Sequence, residues 1–182
     1  MMKVKHTSLE GCLIIEPKVF RDHRGYFLES FNQNDFQKTT GLDTSFIQDN
    51  QSFSNYGTVR GLHYQTGDWA QSKLIRVISG EILDVALDIR PSSKTFGKHF
   101  SLVLSGENFL QFYIPKGFAH GFSVLSASAV VAYKCDQYYH QAAERGIRYS
   151  DPTLAIDWKI PTEKMVVSDK DLSLPGFEKS LK

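Results

Sequence analysis

Hydrophobic and polar residues alternate with period two along much of this chain. In residues 81–90, EILDVALDIR, Leu83, Val85, Leu87 and Ile89 fall on one face and Ile82, Asp84, Ala86, Asp88 and Arg90 on the other. That is the pattern of a strand with one dry side and one mostly polar side. The preceding KLIRVI joins it through Ser79-Gly80, which reads as a hairpin turn. FSLVLS and NFLQFYIP follow, joined through Gly106, then GFSVL and AVVAYKCDQYY. Short strands with Gly-containing turns and no helix between them predict an all-β antiparallel sandwich or barrel. Helical signals are confined to two places. NQNDFQKTTGL, residues 32–42, has Asn and Asp near its start and Gly41 as a stop, and SDKDLSLPGF has room for one turn before Pro175.

One stretch fits the strand pattern poorly. In TVRGLHYQ, residues 58–65, straight alternation puts Val59, Gly61, His63 and Gln65 on one face and Arg60, Leu62 and Tyr64 on the other. Arg60 and His63 can share a site only if Gly61 permits a bulge or bend that re-aims one of them. Otherwise they are a solvated arginine and a structural histidine.

Composition narrows the function. The chain has 182 residues, ordinary globular proportions (41% hydrophobic, 23% charged) and no internal repeat or linker, so residues 1–182 read as one domain. A net charge of +1 and the lack of a long basic run argue against nucleic acid or an anionic membrane as partner. Two distant cysteines, Cys12 and Cys135, form no CxxC and suggest neither a disulfide framework nor a cysteine zinc site. The N-terminus lacks an apolar signal region and runs such as AVVAY are too short to span a bilayer, which makes a cytoplasmic location the expectation.

Candidate chemistry centres on two histidines. PKGFAH, Pro115 to His120, matches the P-x-G-x-x-H of the second cupin motif, and Gly57 to His63 fits the opening G-x5-H of the first. Gln65 stands where that first motif would place a second histidine, and no glutamate follows within several residues, so the ligand set for iron or zinc is incomplete and no metal is expected. His63 and His120 then read as acid–base groups or as packed structural histidines. Tyr133, Tyr138 and Tyr139 are candidate acids or packing residues. Tyr133 and Tyr139 share a parity but would stand about 20 Å apart on a straight strand, which predicts different parts for them. In FRDHRGYFLESF, Arg21, Asp22, Arg24 and Glu29 crowd around Gly25, as a charged turn or as a ligand loop in which Arg24 forks onto a phosphate. FIQDNQS puts Gln48 and Asn50 on one face, suited to a base edge or a sugar hydroxyl.

Taken together, FRDHRGYFLESFN, FIQDNQSFSNYGTVRGLHYQ, KLIRVISGEILDVALDIRPSSKTFGK, YIPKGFAHGFSVL, YKCDQYYHQAAERGIRYSDPTLAIDW and SDKDL closely resemble the dTDP-4-dehydrorhamnose 3,5-epimerases, in consistent order from about Leu13 to Leu172. The resemblance implies a cupin-like jelly roll, usually a homodimer, acting on the nucleotide sugar dTDP-4-dehydro-6-deoxy-D-glucose with neither metal nor redox cofactor. It makes His63 the general base, Tyr133 the acid on the opposite face of the sugar, Asp171 the group that orients the histidine, and Lys73 the cation at the C4 oxygen. Arg60 and His120 would also face the substrate. Arg24, Glu29, Gln48, Asp49 and Asn50 fall at nucleotide positions, Tyr139 where thymine is stacked, and Glu144 and Lys170 at further substrate contacts. The loop QTGDWAQSK departs from the Pro-containing form of the family and loosens the register of Lys73. An N-terminal strand around CLIIEPKVF is expected to pair with a neighbouring subunit. Rival readings are a C3- or C5-only epimerase, a metal-dependent cupin and a non-catalytic carbohydrate-binding jelly roll.

Overall fold

The structure, a computed structural model, describes residues 2–180. Two antiparallel sheets face each other. One has six strands in the order β1 (Lys3–His6), β2 (Leu13–Glu16), β10 (Gln111–Ile114), β7 (Lys73–Ser79), β12 (Ser128–Cys135) and β5 (Gln48–Asn55). The other runs β13 (Glu144–Gly146), β6 (Thr58–Gln65), β11 (Phe118–Val124), β8 (Glu81–Asp88) and β9 (His99–Ser105), with the short β14 (Val166–Val167) parallel to β6. A separate hairpin, β3 (Val19–Asp22) and β4 (Gly25–Leu28), stands apart from both. This all-β architecture is a cupin-like jelly roll.

Ser79-Gly80 does not close a hairpin. β7 and β8 lie in different sheets, and from β5 to β13 the chain changes sheet at every connection except β8 to β9. A glycine at positive φ, 79° at Gly80, serves a sheet-crossing corner as well as a hairpin turn, so the local pattern is the same for both. The polar side of β8 also differs from its reading, because both of its sides are covered. Ile82 and Ala86 join the interior between the sheets, with Phe112, Leu104, Ile75 and Val131, while Leu83, Val85 and Leu87 pack on Ile147, Leu154 and Trp158 from the C-terminal segment. Asp84 and Asp88 are fully buried. Asp88 is satisfied by Arg90, Ser93 and Thr95. Each large apolar side chain buried in these layers contributes about 1.5–3 kcal/mol.

Gly61 makes the bulge. His63 lies opposite His120 and Arg60 opposite Phe122, so three steps along β6 match two along β11. Val59 consequently packs in the same cluster as Leu62 and Tyr64, which strict alternation would set on the other face. Gly61 has φ 119°, and a Cβ there would lie 2.6 Å from Gly121 Cα, so no larger residue fits between the two strands.

The predicted first helix is α1 (Gln33–Thr40), capped by the Asn32 side chain on the Asn34 and Asp35 amides and ended by Gly41 at φ 72°. Its Phe36 is buried among Phe31, Phe46 and Tyr113. The turn in SDKDL is α2 (Asp169–Leu172), capped by Ser168 on the Asp171 amide. Within the segment expected to pair between subunits, β2 is paired on both sides within the chain, by β1 and β10, whereas β3 pairs only with β4. Among the described residues, the two most exposed large apolar side chains are Phe27 on the β3–β4 hairpin, at 68%, and Phe53 on the outer side of β5, at 61%. No helix among the described residues is long and apolar enough to cross a membrane.

Candidate active site

At one end of the interior the apolar layer gives way to polar side chains. β6 supplies His63, β11 His120, β8 Asp84, β7 Lys73 and β12 Tyr133, all on the strand sides that elsewhere carry the interior cluster. A cavity of about 160 Å³ opens there, lined by His63 and Gln65 from one sheet and by Lys73, Tyr133, Cys135 and Asn50 from the other. Lys73 Nζ lies 6.0 Å from the centre of the Tyr133 ring. Larger cavities exist, including one of about 490 Å³ on the outer side of the first sheet, but the smaller one is where titratable groups from both sheets converge.

Asp171 reaches His63 from the C-terminal segment. Its Oδ1 lies 2.7 Å from His63 Nε2, and its Oδ2 accepts the Gly61 amide at 3.2 Å. The glycine that makes the bulge thus also presents a backbone donor to this carboxylate. Burial pushes the Asp171 carboxyl up, but the hydrogen bonds and charge of His63, the Gly61 amide and Lys170 outweigh it, and the group is held below its ordinary value. An ionised Asp171 accepts from Nε2–H and so leaves His63 Nδ1 free to take a proton. Tyr133 is pushed above the ordinary tyrosine value by burial, with Cys135 adding to the effect and Arg60 opposing it, so its phenol keeps its proton at neutral pH. Burial lowers the Lys73 amine, against the pull of Cys135, Asp84 and Glu144.

The structure gathers most of the residues named from sequence. His63, Lys73, Tyr133, Gln48, Asn50, Tyr139 and Glu144 line one cavity. Asp171 is tied to His63, and Lys170 Nζ donates to Glu144 Oε2 at 2.8 Å. Tyr139 joins Tyr133 because β12 ends at Cys135 and the chain bends, so the straight-strand separation does not apply. Arg60 follows the bulge, donates from Nε to Ser54 Oγ at 3.0 Å and lies beside Asp171. His120 is buried, with Nε2 2.7 Å from Asp84 Oδ1. Arg60 and His120 are not part of the cavity lining, and three further residues stand apart from it. Asp49 points to the outer side of β5 and pairs with Lys134, Arg24 pairs with Asp22 at the hairpin tip, and Glu29 is exposed just beyond β4. Sequence reasoning gave no role to Asp84 as the partner of His120 or to Gln65 as a wall of the cavity. The missing cupin histidine at position 65 was the one signal for the latter. Among the described residues no group of three or more His, Cys, Asp or Glu is placed to hold a metal ion.

The fold and site define a jelly roll of the cupin-like class with an acid–base cluster at one end of its interior. A family model described as dTDP-4-dehydrorhamnose 3,5-epimerase matches residues 6–179. The chain belongs to this family. It is 50% identical over 176 residues to the dTDP-4-dehydrorhamnose 3,5-epimerase of Shigella flexneri, covering 97% of this chain and 96% of that protein. Among solved structures, the dTDP-4-dehydrorhamnose 3,5-epimerase of Elizabethkingia anophelis NUHP1 superposes with a TM-score of 0.94 at 50% identity, over 100% of this chain and 99% of that one. A Legionella pneumophila dTDP-6-deoxy-D-glucose-3,5-epimerase in complex with dTDP-4-keto-L-rhamnose gives 0.94 at 48% identity, covering 98% and 94%.

Proposed function

We propose that the chain, acting as a single domain, is a dTDP-4-dehydrorhamnose 3,5-epimerase that converts dTDP-4-dehydro-6-deoxy-D-glucose to dTDP-4-dehydro-L-rhamnose. The observation that carries this reading is the approach of His63 and Tyr133 to one cavity from opposite sheets, with Lys73 beside the tyrosine. Inverting a sugar carbon by proton transfer requires an adjacent carbonyl to hold charge as an enolate, and a C4 ketone activates both C3 and C5. His63, oriented by Asp171, removes the proton on one face. Lys73 stabilises the enolate oxygen, and Tyr133 delivers a proton to the other face. Acid–base terms give about 10²- to 10⁴-fold. The remainder comes from charge stabilisation and from holding the nucleotide, which we assign to Gln48, Asn50, Tyr139, Glu144 and Lys170, with Arg60 facing the sugar and His120 backing the site from β11. Incubating the nucleotide sugar with the protein in D₂O tests this by NMR. Deuterium at both C3 and C5 with inversion is expected. Deuterium at one carbon identifies a single-centre epimerase, and saturable binding without exchange identifies a binding module.

We further infer a homodimer. Arg24, Glu29 and Asp49 fall at nucleotide positions by resemblance yet stand outside the cavity of their own chain, and Arg24 rides a hairpin whose Phe20 and Phe27 are exposed. A second copy that covers this hairpin buries those rings and brings Arg24 to a neighbouring cavity. Light scattering should return twice the 20.6 kDa chain mass, and a monomer mass at working concentration rejects the assembly. The free, buried cysteines and the small-molecule chemistry are those of an enzyme working in the cytoplasm.

A further inference from the structure

Residues 136–140 belong to no strand or helix, so their backbone N–H groups depend on partners brought from elsewhere. Two consecutive amides of this segment find the same kind of partner on opposite sheets. Tyr139 N donates to Gln48 Oε1 at 2.9 Å, from β5. His140 N donates to Gln65 Oε1 at 2.7 Å, from β6. The rest of the Gln65 amide is also engaged, because its Nε2 donates to Trp69 O at 2.6 Å and to Tyr138 O at 3.1 Å. Gln65 is buried, and every contact made by its amide ties down one of the two loops that rim the cavity. Those loops meet a second time through the Trp69 and His140 rings, stacked 4.2 Å apart at 15°.

We propose that Gln65 and Gln48 form an amide clamp that sets the Tyr139 ring at the cavity mouth, and that Gln65 is a positioning residue for nucleotide-sugar binding. The clamp fixes the backbone on either side of the Tyr139 carbonyl. The ring is held at its far end by Glu144 Oε2, which accepts its hydroxyl at 2.9 Å, so freeing the backbone leaves Tyr139 attached only through its tip. His63 and Lys73 sit on strands and do not depend on this segment, so loosening the clamp weakens binding and spares the proton transfers. The position at which a cupin metal site would carry a histidine thus holds a residue that braces the substrate entrance. The inference rests on the reading of Tyr139 as part of the substrate site.

The test combines two readouts on the full chain. Amide hydrogen exchange followed by NMR on the ligand-free protein reports the clamp directly, and steady-state kinetics with the nucleotide sugar reports its consequence. Gln65→Leu should lose protection at His140, with Tyr139 still held by Gln48, and raise KM roughly tenfold, the scale of one buried hydrogen bond, with kcat within about threefold. Gln65→Glu keeps an oxygen facing His140 N and should restore protection at that amide and part of the KM. It also keeps the test open if the leucine variant does not fold. Unchanged protection in both variants overturns the clamp. Lost protection with an unchanged KM, or a fall in kcat as large as the rise in KM, overturns the positioning role. Absence of carbon-bound exchange by the wild type refutes the proposed function instead, and the clamp then stands or falls on the amide readout alone.

Discussion

The interior holds two histidine–carboxylate pairs with the same 2.7 Å separation and opposite surroundings. His120 and Asp84 face each other from neighbouring strands, β11 and β8, with side chains 8% and 0% exposed. His63 is 31% exposed and opens into the cavity, and its carboxylate comes from α2, 108 residues away along the chain. The two oxygens of Asp171 are both occupied, by His63 and the Gly61 amide, whereas Asp84 Oδ2 has no hydrogen-bond partner among the described residues. A shared His–Asp motif therefore does not define a shared task. Exposure to the cavity, a fully satisfied carboxylate and an opposing tyrosine suit His63 to proton transfer. Enclosure between strands suits His120 to holding the wall behind it.

Substituting the two histidines separates these parts most sharply. His63→Asn should lower turnover by about 10²- to 10⁴-fold with little change in melting temperature, because a half-open polar site tolerates the loss of a ring. His120→Asn should do the reverse. It leaves Asp84 buried with poorer hydrogen bonding, and the expected cost is about 1–3 kcal/mol of stability, read by thermal or urea unfolding, with a much smaller fall in turnover. Equal activity losses with equal destabilisation would dissolve the distinction.

A smaller effect is expected one step behind the base. Asp171→Asn removes the negative charge beside His63 and leaves one acceptor where His63 Nε2–H and the Gly61 amide each need one, and should cost on the order of 10²-fold in kcat. The same substitution alters the acid side of the stability profile. Because the folded state holds the Asp171 carboxyl below its ordinary value, its contribution to stability is present in full above the unfolded value of ~3.9 and is lost as pH falls through the lower folded value. Unfolding midpoints of Asp171→Asn should therefore fall less steeply than those of the wild type on acidification below about pH 4. An identical slope in both proteins would place Asp171 outside the linkage.

Much of this arrangement is written locally in the chain. The alternation in residues 81–90 marks β8, the Asn32 and Gly41 signals bound α1, and Gly61 between Arg60 and His63 announces a bulge. What local pattern does not carry is which sheet a strand joins. Ser79-Gly80 offers the same positive-φ corner to a hairpin and to a crossover, and the choice is made by burial across the whole domain. The same limit hides the partner of each histidine. Asp84 looks like one residue on the polar side of a half-buried strand until the opposite sheet covers that side and His120 of β11 pairs with it, and Gln65 looks like a failed metal ligand until its amide is seen to close two loops. Asp171, Tyr133 and Lys73 carry no spacing relation to His63, and their roles came from the whole-chain resemblance.

The most direct test of the two-faced site follows deuterium at C5 and product configuration in parallel for Tyr133→Phe and His63→Asn. With Tyr133 gone, His63 still removes the proton and returns a deuteron to the face it left, so Tyr133→Phe should exchange C5 hydrogen with little inversion, while His63→Asn should show neither. Wild-type inversion by Tyr133→Phe, or rapid C5 exchange by His63→Asn, would contradict the assignment.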